Sequence, residues 1–205
     1  MGLISKEEPF WERRYLKGGT SGLGSVGKTR AWKWSVIDEF IPKIDDVVDV
    51  GCGDLSFWGN KTCKQYIGID ISKTVVEDNR LKRPKWTFIH SNAGKYLQDV
   101  NGRVVLCLDL LFHIMKEENF VKILNNLCRY SEKWIFVHTW SSNPFMQKGS
   151  PHYTGKHKVT DSRFQYFRPL RSWLSIFKKY GFKLVATRRR ESKDRCTKLG
   201  EMFIF

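Results

Sequence analysis

Residues 47–55 read VVDVGCGDL, in which a short apolar run passes directly into the turn Gly51-Cys52-Gly53. An apolar run of this length that ends in Gly-x-Gly is typical of a buried parallel strand followed by a tight turn. The two glycines allow the backbone to approach a ligand closely, where any side chain would collide with it. The stretch therefore predicts the first strand and the ligand-binding turn of an α/β fold.

A second apolar run, Tyr66–Ile69, predicts the next strand, and it ends in Asp70. A carboxylate at the end of the second strand, about 20 residues after the glycine turn, is placed to accept hydrogen bonds from ribose hydroxyls. A dinucleotide site would need a third glycine where Ser56 stands, and Asp54 would repel a pyrophosphate. An acid at position 54 could instead face the α-amino group of a methionine-like tail. The two strands thus predict a nucleoside site that does not take a dinucleotide.

The turn at Asp49–Leu55 resembles the D-x-G-C-G-x-G motif of the class I S-adenosylmethionine (SAM) dependent methyltransferases, except that Leu55 replaces the last glycine. A subset of that family opens with Y-W-x-x-R-Y and then G-G-x-S-G-x-G-S-x-G. Here residues 10–15 read FWERRY and residues 18–27 read GGTSGLGSVG, and the resemblance covers almost the whole chain. It implies an α/β fold with a Rossmann-like seven-stranded sheet, helices on both faces and a C-terminal antiparallel hairpin.

Hydrophobic periodicity predicts the remaining elements in an order that this fold accommodates. The predicted helices are Arg30–Ile41, a helix that Ser72 caps and that runs to Leu81, Glu118–Tyr130, and a last helix that Pro169 opens. The predicted later strands are Trp86–Ile89, Arg103–Leu108, Trp134–Thr139, and a closing antiparallel pair, Phe182–Thr187 and Met202–Phe205. We expect a single methyltransferase domain over residues 1–205. In it, residues 1–30 form an N-terminal helix and glycine-rich lid, and residues 141–168 form a substrate loop.

The resemblance implies SAM as the cofactor and assigns its binding residues by position. They are Tyr15, Gly24, Ser25, Asp49, Gly51, Cys52, Gly53, Asp70, Ile71, Asn92, Ala93, Asp109 and Leu110. Asn92 stands where the family usually has an aspartate that accepts a hydrogen bond from the adenine amino group. The carbonyl of Asn92 can accept the same bond, but without a charge.

A second interpretation comes from Gly22–Thr29, which reads GLGSVGKT and matches the P-loop pattern G-x-x-x-x-G-K-[ST]. Residues 104–109, VVLCLD, also resemble a Walker B strand. A P-loop must leave a buried strand, because the strand directs the amides of the loop at the phosphates. Residues 11–17 read WERRYLK and are unsuited to such a strand. A P-loop NTPase is therefore kept as an alternative only.

Methyl transfer from a sulfonium is an in-line displacement that requires alignment, exclusion of water and at most one base. Ligands of such sheets bind at the carboxyl ends of the strands, so His113 and His138 are predicted to be catalytic. The residues predicted to shape the substrate pocket are Trp140, Asn143, Tyr153 and His157. The five cysteines form no C-x-x-C pair, so no metal site is predicted.

One motif and the distribution of charge indicate which class of molecule accepts the methyl group. Residues 109–112 read DLLF, which lacks the prolines of the [DNS]-P-P-[YFW] motif of enzymes that methylate exocyclic base amines. The net charge is +15, and residues 147–198 hold fifteen Lys or Arg against three acids. Such a surface attracts polyanions. We expect a small-molecule or glycan acceptor, which can be anionic; the alternative is a nucleic acid (RNA) that binds through Arg188, Arg189 and Arg190.

Cysteine use and hydropathy give an expectation for the compartment. No apolar run approaches the roughly 20 residues that cross a bilayer, and residues 1–10 lack the core of a signal peptide. The spacing of the cysteines indicates no disulfide framework. The sequence therefore predicts a cytoplasmic protein without membrane insertion.

Overall fold

The computed structural model describes residues 7–146, 160–161, 165–190 and 200–205. The helices are α1 (Glu7–Leu16), α2 (Gly27–Phe40), α3 (Lys73–Lys82), α4 (Glu117–Tyr130) and α5 (Leu174–Lys179). The strands of the main sheet are β1 (Asp46–Val50), β2 (Gln65–Asp70), β3 (Thr87–His90), β4 (Gly102–Leu108), β5 (Ser131–Trp140), β6 (Ala186–Arg189) and β7 (Gly200–Ile204). Short 3₁₀ turns occupy Leu23–Ser25, Leu111–His113 and Leu170–Ser172, and a separate hairpin pairs Thr160–Asp161 with Gln165–Tyr166.

The main sheet has the strand order β3-β2-β1-β4-β5-β7-β6. Strands β1 to β5 pair in parallel, whereas β7 runs antiparallel to both of its neighbours, β5 and β6. The order reverses between β1 and β4, and open α/β sheets bind ligands outside the carboxyl ends of the strands at such a point. The predicted seven-stranded sheet with a C-terminal antiparallel hairpin is confirmed.

Helices cover both faces of this sheet, as predicted. On one face, α2 and α3 contribute the fully buried side chains Ile37 and Val76. On the other face, α4 and α5 contribute Leu124 and Phe177, which are also fully buried. Burial of this apolar surface holds the two helical layers against the sheet. No helix in the described ranges is both long enough and apolar enough to cross a membrane.

Several element boundaries differ from their predicted positions; strand β5, for example, begins at Ser131, three residues before the predicted start. Helix α2 begins at Gly27, three residues before the predicted start. The last helix begins at Leu174, because the residues after Pro169 form a 3₁₀ turn first. Strand β6 begins at Ala186, four residues later than predicted, although the Val185 amide already donates to the Ile204 carbonyl at 2.8 Å.

The geometry of a P-loop is absent from the segment that matches its motif. Helix α1 precedes the glycines, where a P-loop requires a buried strand. Lys28 lies exposed in the first turn of α2. The amides of Gly22–Thr29 are therefore not directed from a sheet edge at a phosphate.

Candidate active site

A cavity opens at the carboxyl ends of β1, β2 and β4, where the strand order reverses. Together with the open solvent at its mouth, the space between its walls amounts to about 1030 Å³. All of the residues predicted to bind the cofactor line it except Gly24: Tyr15, Ser25, Asp49, Gly51, Cys52, Gly53, Asp70, Ile71, Asn92, Ala93, Asp109 and Leu110. Of the two histidines predicted to be catalytic, His113 also lines it.

The glycine turn after β1 holds the carboxylate of Asp70 in one orientation. The amide of Gly53 donates to one carboxylate oxygen at 2.9 Å, and the amide of Ser72 donates to the other at 3.0 Å. Burial raises the pKa of Asp70, while these amide hydrogen bonds oppose the rise. Gly51 and Gly53 have φ values of +79° and +56°, a region that favours glycine. The carboxylate faces the cavity with acceptor capacity that these two amides do not use.

Asn92 follows β3 in the wall of the cavity. Its side-chain oxygen accepts a hydrogen bond from the Gly94 amide at 2.8 Å, which fixes the orientation of the amide group. A carbonyl oxygen has two lone pairs, so Asn92 can accept one more hydrogen bond.

Asp49 lies beneath the glycine turn and is almost fully buried. One of its carboxylate oxygens accepts hydrogen bonds from the Trp58 indole at 2.8 Å and from the Tyr66 hydroxyl at 3.0 Å. Burial raises the pKa of Asp49 to about 6, although both donors favour the charged form. At neutral pH the folded protein therefore carries a buried carboxylate whose ionisation disfavours folding.

We expect Asp49→Asn to stabilise the protein at neutral pH but not in acid. Between pH 3.8 and about 6 the folded protein binds more protons at this site than the unfolded chain, so stability falls as the pH rises through that range. The asparagine carbonyl can still accept from Trp58 and Tyr66. The gain should reach up to about 3 kcal/mol above pH 6 and vanish near pH 4. Urea unfolding at pH 4, 5.5 and 7.5 measures it. Asp78→Asn, on the exposed side of α3, is the control; a gain that does not change with pH would contradict the expectation.

Helix α1 and the glycine-rich segment, residues 18–27, form the roof of the cavity. Trp11 and Tyr15 line it from α1, and Ser21 lines it from the glycine-rich segment. Glu12 fastens α1 to the start of α3, because its carboxylate accepts from the hydroxyls of Ser72 and Thr74, each at 2.6 Å. The start of α3 thus receives a hydrogen-bond acceptor from a distant part of the chain.

Asp54 holds the glycine-rich segment against the glycine turn. Its carboxylate accepts from the Ser21 hydroxyl at 2.7 Å and from the Ser56 amide at 3.0 Å. The amide of Asp54 donates back to the Ser21 oxygen at 3.0 Å. Burial alone would raise the pKa of Asp54, but these donors lower it below its usual value. The sequence suggested that Asp54 could face an α-amino group; in the structure its carboxylate is used to close the roof.

Two glycines are required where the roof contacts the glycine turn and Asp109. A Cβ atom on Gly53 would lie 2.1 Å from the Ser21 hydroxyl oxygen. A Cβ atom on Gly24, in the roof, would lie 2.1 Å from a carboxylate oxygen of Asp109. Both distances are far below any van der Waals contact, so the closed arrangement of the roof depends on glycine at both positions.

Three ionisable side chains, which we call the Lys33–Asp109–His138 triad, adjoin the cavity. The ammonium of Lys33, which is fully buried, forms an ion pair with Asp109 and donates to the Gly24 carbonyl at 3.0 Å. The Nδ1 atom of His138 lies 2.5 Å from the other carboxylate oxygen of Asp109. Burial alone would raise the pKa of Asp109, but Lys33 and His138 hold it well below its usual value. Burial and Lys33 lower the pKa of His138, so the neutral imidazole donates its Nδ1 proton to Asp109.

Lys33 was not among the residues predicted from the sequence, although one signal was present. Lys33 lies four residues before Ile37 in the predicted helix, and residues four apart share a helix face. A lysine on the apolar face of an amphipathic helix requires a buried partner. That partner, Asp109, is 76 residues away and is not visible in the local pattern.

The two histidines predicted to be catalytic lie in different surroundings. His113 borders the cavity, and its ring lies edge-on to Trp11 with centroids 4.9 Å apart. His138 is not among the residues that line the cavity; its ring lies against Trp32, and a Cβ atom on Gly200 would come within 2.6 Å of its Nε2 atom. In this arrangement His138 is suited to orienting Asp109, whereas a catalytic role remains a prediction for both residues.

The residues predicted to form the substrate pocket are only partly described. Trp140 stacks on Phe112 with ring centroids 4.7 Å apart, and neither Trp140 nor Asn143 lines the cavity. The side-chain oxygen of Asn143 accepts from the Phe145 amide at 3.0 Å, which stabilises the turn after β5. Tyr153 and His157 lie outside the described residues.

The arginines at the end of β6 contact other parts of this chain. Arg188 forms an ion pair with Glu39 of α2, and Arg189 forms one with Glu201 of β7. Arg190 donates to the Thr29 hydroxyl at 2.7 Å. The three residues therefore tie the edge of the sheet to α2 and β7. Among the described residues, no group of three or more side chains is arranged to hold a metal ion.

The sequence matches no protein-family model and no curated protein. Its structure is similar to many solved methyltransferases. The N-methyltransferase NodS from Bradyrhizobium japonicum WM9, crystallised with S-adenosylhomocysteine (SAH), superposes with a TM-score of 0.69 at 8% identity, and the alignment covers 98% of each chain. A SAM-dependent methyltransferase from Clostridium acetobutylicum ATCC 824 superposes with a TM-score of 0.68 at 10% identity, and the alignment covers 96% of each chain. For magnesium protoporphyrin IX methyltransferase from Synechocystis PCC 6803, crystallised with SAM, the TM-score is 0.63 at 15% identity, and the alignment covers 100% of this chain and 98% of the methyltransferase. The class I methyltransferase fold is therefore shown.

Proposed function

We propose that this chain is a SAM-dependent methyltransferase that transfers the methyl group in line to an oxygen or nitrogen nucleophile of a small-molecule or glycan acceptor. The observation that carries the proposal is the cavity at the reversal of the strand order, where the glycine turn and Asp70 meet in a class I methyltransferase fold. A carboxylate held by two backbone amides at this place suits a ribose.

The residues in the cavity fit SAM. Asp70 would accept from the ribose hydroxyls, and Asn92 would accept from the adenine amino group. The glycine turn would admit the cofactor because Gly51 carries no side chain; a Cβ atom there would already lie 3.1 Å from the Leu110 side chain. SAM supplies a methyl group bonded to a sulfonium, which is the electrophile of the reaction.

The remaining residues would exclude water and position the acceptor. In the closed arrangement, α1 and the glycine-rich segment cover the cavity, which is what an in-line displacement needs. His113 borders the cavity and is the candidate that could take a proton from the acceptor. Residues 141–168 are proposed to complete the substrate pocket.

A small or glycan acceptor agrees better with these surroundings than a nucleic acid does. The cavity is roofed by aromatic side chains from α1, as in an enclosed pocket rather than an open groove. Arg188 and Arg189 are ion-paired within the chain, so a phosphate backbone would have to compete with Glu39 and Glu201 for them. RNA remains the second candidate, because residues 147–198 are strongly basic.

Isothermal titration with SAM, SAH, ATP and NAD tests the proposal. SAM and SAH should bind in the micromolar range, and ATP and NAD should not bind. Tight ATP binding that Lys28→Ala removes would instead favour the P-loop alternative.

We expect cofactor binding to protect the glycine-rich segment from trypsin. Lys17 and Lys28 flank the segment and are exposed, so cleavage there reports opening of the roof. If SAM binds only the closed form, SAM at ten times its Kd should slow cleavage by up to about tenfold. Mass spectrometry of the fragments measures each site. Cleavage after Lys64, in the loop before β2, should not change, and equal cleavage rates at Lys17 with and without SAM would contradict a lid role.

A further inference from the structure

Another concave surface, which we call the basic groove, lies at the amino ends of β2 and β3. Two segments form it: residues 62–64, which lead into β2, and residues 82–86, which join α3 to β3. The cavity of the candidate active site lies at the other end of β2, a strand of six residues that spans about 20 Å. A small ligand in the basic groove would therefore not reach that cavity.

The basic groove is lined by cationic side chains and by no acidic one; the cations are Lys64, Lys82, Arg83 and Lys85. None of the four forms an ion pair within the part of the chain that the structure describes. Basic residues in the last turn of a helix offset its dipole. That role accounts for Lys82 but not for Lys64 and Lys85, because those two lie outside the helices. Since like charges repel, an anion placed among the four would lower their electrostatic energy.

The wall that carries Arg83 is held in place by hydrogen bonds and by an aromatic ring. The Arg83 guanidinium donates to the Gly59 carbonyl at 2.6 Å and lies over the Trp86 ring, 5.0 Å from its centroid. The Trp86 amide donates to the Arg83 carbonyl at 2.9 Å, which closes a turn that contains Lys85. The contact with Gly59 uses one of the five N–H donors of Arg83, so donors remain for an anion.

The Cys63 thiol, which also lines the basic groove, adds no negative charge to it. Burial, and after it nearby carboxylates, raise the pKa of this thiol to about 12, so it stays protonated at neutral pH. These carboxylates belong to Asp49, Asp46 and Asp45, none of which lines the basic groove. An anion would therefore meet donors and positive charge on both walls.

The aromatic side chain of the basic groove is already engaged within the chain. Trp86 stacks on Tyr66 with ring centroids 4.2 Å apart, and Arg83 lies over its ring. Grooves that bind single-stranded nucleic acids combine positive charge with aromatic rings on which the bases stack. The basic groove has the charge without a free ring, so it is suited to phosphate groups rather than to bases.

We propose that the basic groove binds a small ligand that carries two linked phosphate groups. A phosphate monoester has a charge of about −1.5 to −2 at neutral pH, so two linked phosphates approach the charge of the four cations. Lys64 on one wall and Lys82 and Lys85 on the other would hold the two phosphates between them, with Arg83 as the fixed donor. This site is separate from the proposed methyl transfer and does not depend on it.

Isothermal titration with inorganic pyrophosphate and with inorganic phosphate, in buffer without divalent cations, tests the proposal. Pyrophosphate should bind about tenfold more tightly than phosphate or better, because it can engage both walls. Lys82→Gln/Lys85→Gln should weaken pyrophosphate by about tenfold or more, as expected for lost hydrogen bonds between charged groups. The matched control is Lys178→Gln/Lys179→Gln, which removes two charges at the exposed end of α5. Its affinity should stay within about twofold of the unchanged protein, since salt screens remote surface charges.

A third variant and a competitor complete the test. Lys64→Gln, on the opposite wall, should also weaken pyrophosphate, and circular dichroism checks that every variant is folded. Equal affinity for pyrophosphate and phosphate, or equal losses in the Lys82/Lys85 and Lys178/Lys179 variants, would overturn the proposal. A short oligouridylate that displaces pyrophosphate and no longer binds Lys82→Gln/Lys85→Gln would assign the basic groove to a nucleic acid instead. No methyl donor is present, so the result is independent of the proposed function.

Discussion

Lys33→Met is expected to lower the free energy of unfolding by about 3 kcal/mol at pH 7. Removal of one partner from a buried ion pair costs about 3–5 kcal/mol, because the other charge remains buried without compensation. We place the loss at the lower end of that range, since about 20% of the Asp109 side chain is exposed whereas Lys33 is not exposed at all. Urea unfolding followed by circular dichroism measures the change.

Two variants show whether this loss comes from the ion pair. Lys28→Met changes the same charge on the exposed first turn of α2, and its effect should stay within about 0.5 kcal/mol. The double variant Lys33→Met/Asp109→Asn should recover a large part of the stability, because it no longer leaves a carboxylate unpaired. A loss below 1 kcal/mol for Lys33→Met, or no recovery in the double variant, would refute the account of the triad.

Asp70→Ala is expected to weaken SAM and SAH by about 1.5–3 kcal/mol each, or roughly 10- to 150-fold in Kd. The carboxylate is held by the amides of Gly53 and Ser72 and lines the cavity beside the glycine turn. The alanine therefore removes the proposed acceptor of the ribose hydroxyls and also loosens the turn. Isothermal titration with both compounds measures the effect.

The controls for Asp70 separate ribose recognition from damage to the turn. Asp70→Asn retains a side-chain oxygen that can accept from one amide, and it should lose less affinity than the alanine variant. Asp78→Ala removes a carboxylate from the exposed side of α3 and should bind both compounds as the unchanged protein does. Unaltered affinity of Asp70→Ala would exclude Asp70 from the cofactor site.

The fold could be predicted from local patterns because its decisive signals are short. The apolar run that ends in Gly51-Cys52-Gly53 predicted β1 and its turn, and Asp70 marked the end of β2. The order of strands and helices then resembled one known family, and the strand order of the sheet confirms the class I methyltransferase fold. The predicted ends of the elements were less accurate, as at the last helix, where a 3₁₀ turn over Leu170–Ser172 comes before the α-helix.

The roles of individual residues were predicted from their positions at the carboxyl ends of strands. The sequence placed Asp109 and His113 near the cavity because both follow β4, and the carboxyl ends of parallel strands meet at one edge. It placed His138 there for the same reason, but successive side chains of a strand point to opposite faces of the sheet. His138 lies under Asp109 on the side of α2, against Trp32, where it does not line the cavity.

By itself, the sequence determined the α/β class, the glycine turn and the carboxylate at the end of β2, because each depends on residues that are close together in the chain. Only the tertiary structure decided which partner each charged side chain meets. Lys33 meets Asp109 across 76 residues, Asp54 meets Ser21 across 33, and Arg188 meets Glu39 across 149. The energy of a buried charge depends on its surroundings in space, which no local pattern records. The sequence therefore supplied the charged residues, and folding decided which of them close the roof, which orient Asp109 and which hold the edge of the sheet.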